Sequence, residues 1–186
     1  MTKSPQFKSY PKKELEHINI KAEKTKKKSR LFTYNNKIRS LEGCFVGCLN
    51  LETIYSDMFR GLNKLESLYE TFKNTGLTHF INKGVGLFSS LANNSVSLNC
   101  SSMFQDCNSL VLYKGDLLKD GIDILKSSSI DVTLFIARYN YTSAETSYID
   151  SIWDYSNFTK SSPPFAYAGN SSLTIENYNS IPSGWK

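Results

Sequence analysis

Histidine and cysteine are scarce in this chain, which spreads two histidines and four cysteines over 186 residues. Nucleophilic and metal-centred enzymes depend on those side chains. Neither His17 nor His79 has a Ser, Cys or Asp at a spacing that predicts a triad. Four cysteines do not make the disulfide framework of a small secreted domain. The C-x3-C of Cys44 and Cys48 and the C-x6-C of Cys100 and Cys107 are a weak zinc signature, and burial as small apolar residues is the better reading. Gly84 and Gly86 precede no G-K-[ST], and Asp116, Asp120 and Asp123 lack the dense ligands and closing acid of a calcium loop. The expectation is therefore no enzyme, no catalytic residue, no cofactor and no metal site. No apolar run approaches the roughly 18 residues of a membrane span. The first fifteen residues lack the apolar stretch of a secretory signal, so a position outside a cell would need some other route.

Charge is present but divided. Residues 1–39 carry 12 Lys and Arg against three Glu, a balance of +9. The remainder carries 10 against 14, a balance of −4, and the whole chain has +5. Residues 1–30 read as a basic arm with its densest cluster at Lys24, Lys26, Lys27, Lys28 and Arg30. Such arms contact nucleic acid or acidic surfaces, or are plain solvated tails.

Residues 31–186 read as a second unit built on one recurring pattern. F-V-G-C-L-N-L-E-T-I begins at residue 45, F-K-N-T-G-L-T-H-F at 72 and F-Q-D-C-N-S-L-V-L at 104. An aromatic is followed three residues later by a small residue (Cys48, Thr75, Cys107), then by an apolar pair. A second half-unit, M-F-R-G-L-N-K-L and L-F-S-S-L, places Phe59 and Phe88 29 residues apart. The phase continues at Phe135 and Phe165 in the first series, with Arg138 in the small slot, and at Leu118 and Trp153 in the second. Two interleaved series with a period near 30 predict a repeat architecture, in which each short unit buries its apolar face only against its neighbours. Short strands are expected at the apolar pairs and single helical turns at the aromatics. The longest loop is expected at 140–164 and a cap at the end, with Trp185 covering the last layer. Tyr139, Tyr141, Tyr148 and Tyr155 crowd around Trp153, which makes that stretch a candidate binding face. Aromatic packing within a loop-rich layer is the alternative.

These half-units resemble the BspA-like branch of leucine-rich repeats over residues 41–186. T-F-K-N-T-G-L-T-H-F, V-G-L-F-S-S-L and S-S-M-F-Q-D-C-N-S-L carry the likeness, and the closing N-Y-N-S-I-P-S-G-W is similar to the ends of such proteins in gut bacteria and their bacteriophages. The resemblance implies a β-rich α/β solenoid, a short leucine-rich-repeat-like right-handed superhelix of about 27–32-residue units, with an N-terminal basic arm. It implies surface binding, adhesion or virion structure, and no shared catalytic residues. The expected role is a bacteriophage capsid or tail component anchored by its arm. The alternatives are a bacterial cell-surface adhesin and a nucleic-acid-binding protein working through the arm. Expected partners are virion subunits, a host-surface protein or glycan, nucleic acid at the arm, or a second copy of the chain.

Overall fold

The computed structural model describes residues 32, 36–91, 97–119, 129–138, 141–166 and 175–186. The arm at 1–30, with Lys24, Lys26, Lys27, Lys28 and Arg30, lies outside these, as does Tyr139.

Backbone groups that leave a short turn half-satisfied must find partners elsewhere, and here they find them one repeat away. The N–H groups of Leu41, Gly43, Phe45 and Gly47 donate to the carbonyls of Ser67, Tyr69, Thr71 and Lys73. Those of Leu68, Glu70, Phe72 and Asn74 donate onward to Asn99, Ser101, Met103 and Gln105. Cys100, Ser102, Phe104 and Asp106 repeat the pattern on Asp131, Thr133, Phe135 and Ala137, and Ile136 and Arg138 do so on Pro164 and Ala166. Between them, the N–H groups of Cys44, Val46, Cys48, Thr71, Lys73, Met103, Gln105 and Cys107 close turns on the residue three before. Alternate amides thus serve the layer's own turns and the next layer.

The turns closed by Cys44, Thr71 and Met103, and those closed by Cys48 and Cys107, have a left-handed residue at their third position. Gly43, Glu70, Ser102 and Leu134 occupy one column of these, with φ of 63°, 51°, 53° and 50°, and Gly47, Asn74 and Asp106 a second, with φ of 66°, 54° and 59°. A polar side chain precedes each first turn and accepts the N–H two residues on: Ser40 from Glu42, Ser67 from Tyr69, Asn99 from Ser101, and Asp131 from Thr133. This is the local bonding by which Ser, Asn and Asp favour turns.

The strands are short and all their pairings are parallel. β1 (Thr53–Tyr55) pairs with β2 (His79–Ile81), Thr53 opposite His79. A one-turn helix, α1, spans Leu87–Ser90. β3 (Leu98–Asn99), β4 (Ile130–Asp131) and β5 (Phe158–Thr159) form a second sheet in that order. The ladder of β1 and β2 continues through Val111 N–H on Thr78, Tyr148 N–H on Leu112, and a parallel bridge from Ser147 to Ile175. A third column joins Leu87 and Phe88 to the carbonyls of Asp116 and Leu117. Residues 141–166 are therefore more than a loop, holding the Ser147 bridge, a 3-10 turn at Ile152–Asp154 and β5.

Phenylalanines run through the centre. Phe45 stacks on Phe72 at 5.1 Å and Phe72 on Phe104 at 5.3 Å, with ring planes within 10° and 6°. The next ring breaks the stack: Phe135 meets Phe104 edge-on at 5.3 Å and 89°. The register explains it. Asn99 pairs with Asp131, so Ile136, not Phe135, stands opposite Phe104. Phe135 occupies the position of Met103 and enters from the side, against Phe88 at 5.3 Å. By the same register Arg138 faces Asp106 rather than Cys107, which corrects the expectation that Arg138 fills the small slot. Phe59 and Phe88 are fully buried, and Phe59 leans on Phe72 at 6.2 Å. Phe165 is fully buried under Trp185 at 6.5 Å, and its N–H donates to the Trp185 carbonyl.

Candidate binding groove

The small slot between layers is closed and chemically quiet. Cys48 and Cys107 are buried, and the Phe72 carbonyl accepts from Thr75 Oγ1 at 2.9 Å and Cys107 Sγ at 3.0 Å. Burial pushes the thiols of Cys100 and Cys107 up, which keeps them protonated and poorly nucleophilic. Cys44 is exposed on the first layer. His79 is exposed and within 3.0 Å of Thr78 Oγ1. Among the described residues, no group of three His, Cys, Asp or Glu is placed to hold a metal ion.

The predicted aromatic face divides into separate environments. The Tyr141 ring lies under the Arg138 guanidinium at 4.6 Å, and its hydroxyl donates to the Glu145 carbonyl. Trp153 turns toward the end of the chain and packs edge-on against Trp185 at 6.4 Å. Among the described residues of that face, Tyr148 and Tyr155 line a common open groove, with Lys114, Leu118, Lys119, Asp150, Ser151 and Asp154. An adjoining hollow shares the lysines and adds Asn82 and Gly115, and the two measure about 340 and 300 Å³.

Inter-layer bonding builds this groove. The Tyr148 N–H donates to Leu112 at 2.7 Å, which brings the Tyr148 ring within 5.9 Å of the Lys114 ammonium. The Lys119 ammonium reaches back one layer to the Gly84 carbonyl at 2.7 Å. Tyr155 follows the 3-10 turn, with its ring edge on Phe158 at 6.4 Å. The floor is a carboxylate bracket: buried Asp150 accepts the N–H groups of Gly115, Leu117 and Leu118 at 3.0–3.1 Å. Beside it, buried Asp116 accepts the Tyr113 N–H at 2.8 Å. Desolvation first, then the neighbouring Asp150 charge, raise Asp116 to about 6 against the opposing pull of the Tyr113 bond. Both carboxylates are occupied with backbone groups, as turn-holding residues are.

Lys114 and Lys119 carry no motif, and sequence reading passes over them. The usable signal is the period itself: Lys114 precedes Tyr148 by roughly one repeat, and such residues meet across layers.

No helix among the described residues is long and apolar enough to cross a membrane. Comparison with protein-family models, with curated proteins and with solved structures finds no match for this chain.

Proposed function

We propose that the chain is a non-enzymatic interaction protein, a leucine-rich-repeat-like solenoid that displays a binding surface and serves as a bacteriophage virion component held by its basic arm. The observation that carries the reading is the relay of parallel inter-layer hydrogen bonds, in which each turn of one layer donates to the next about one repeat on. Such stacks present extended surfaces for partners rather than enclosed reaction chambers. Two of the buried carboxylates, Asp116 and Asp150, are spent on backbone N–H groups. The virion setting rests on the resemblance of the repeats and of the closing N-Y-N-S-I-P-S-G-W, and on the +9 balance of residues 1–39 beside a body of −4.

The test is co-sedimentation of the full chain, and of a form lacking residues 1–30, with purified virions and empty capsids. The reading expects the full chain to pellet and the shortened form to remain in the supernatant while keeping its folded circular-dichroism spectrum. Equal pelleting of both forms removes the anchoring role from the arm. If neither pellets, the virion reading fails and the cell-surface adhesin takes its place. Pelleting with filled virions alone, falling steeply as salt is added, transfers the arm's contact to nucleic acid.

A further inference from the structure

The groove between Lys114 and Tyr155 has a composition that selects among ligands. Lys114 and Lys119 supply ammonium donors, Tyr148 and Tyr155 supply flat apolar edges with phenolic tips, and Ser151 and Asp154 supply a hydroxyl and a carboxylate. We propose that this groove binds an acidic saccharide, a pyranose bearing a carboxylate. The lysines take the carboxylate, Asp154 and Ser151 bond ring hydroxyls, and the Tyr155 ring covers the C–H face. The inference deepens the proposed surface-binding role and rests on it.

Nucleic acid fits less well. Its phosphates are dense, whereas Asp150 and Asp154 stand among the groove's two lysines, and the Tyr148 ring already has the Lys114 ammonium over it at 5.9 Å.

The experiment is calorimetric titration of the full chain with oligogalacturonate and with sialyllactose, against lactose as the uncharged control and a single-stranded oligonucleotide. The expected result is millimolar or tighter binding of at least one acidic sugar and none of lactose. The double substitution Lys114→Gln and Lys119→Gln, both on exposed side chains, should weaken that binding about tenfold or more, from the loss of charge-assisted hydrogen bonds. Asp154→Asn should weaken it less and leave the charge preference intact. No binding of either acidic sugar, equal binding of lactose, tighter binding of the oligonucleotide, or full binding by the double variant would each overturn the proposal. Virion association without sugar binding rejects this inference alone, and sugar binding without virion association rejects the virion reading alone.

Discussion

At the scale of single residues, the layers are held by side chains that an ordinary reading would place elsewhere. Left-handed backbone costs an L-residue roughly 1–2 kcal/mol, yet Glu70, Ser102 and Leu134 stand in the column that Gly43 begins. They tolerate it because each turn's flanking amides are bonded to the next layer. Asp116 pays a different cost, since its carboxyl is buried near Asp150 and titrates at about 6 rather than the ordinary 3.8. The sign follows from linkage. A raised folded value stabilises the fold fully below 3.8, and that contribution is lost as pH climbs through about 6. Asp116→Asn keeps an oxygen for the Tyr113 N–H and removes the titration. Denaturant midpoints measured from pH 4 to 7 should show the variant gaining on the parent as pH rises. A constant difference across that range would assign the burial no energetic role.

At the scale of elements, strands of two or three residues contribute little alone, and side-chain brackets supply what the short ladders lack. Asp150 is the strongest of these, one carboxylate holding three amides of the preceding layer. Asp150→Ala leaves the buried Leu117 and Leu118 N–H groups without that acceptor. At about 1–3 kcal/mol for each stranded buried donor, the variant should lose about 2–4 kcal/mol in urea unfolding. Asp150→Asn, which retains an acceptor, should lose less. Equal losses would place the effect in packing instead. The elements also explain what was legible beforehand. Aromatics near every thirtieth residue announced the central column at Phe45, Phe72 and Phe104. The slip at Phe135 arose because a Phe was followed where the structure uses Ile136. A better marker was present: Ser40, Ser67, Asn99 and Asp131 each stand five residues before the column position. Counting from the turn-forming polar residue, rather than from the aromatic, leads to Ile136. The left-handed column was illegible past Gly43, because Glu, Ser and Leu carry no such preference in sequence.

At the scale of the whole molecule, the backbone bonds of one layer run to the next, about thirty residues away in the chain, and the last layer has such a neighbour on one side alone. The groove was half legible for the same reason. Crowded tyrosines marked Tyr148 and Tyr155, while Lys114 and Lys119 lay a layer away, where distance in sequence conceals that they line the same groove. Trp153 was grouped with those tyrosines by proximity in the chain, yet the stack uses it to brace Trp185. Trp185 in turn lies over Phe165 and accepts its N–H, and Lys160 sits over its ring at 5.6 Å. Removing this cover should open the stack from one end. In Trp185→Ala, hydrogen exchange should quicken first at Phe165, then at Ile136 and Arg138, whose amides bond the layer that Trp185 covers. The amides of Phe45 and Gly47, bonded within the first two layers, should keep the protection they have in the parent. A uniform loss of protection at both sets would mean that the layers unfold as one cooperative unit, and that the terminal tryptophan supports the whole stack rather than its last step.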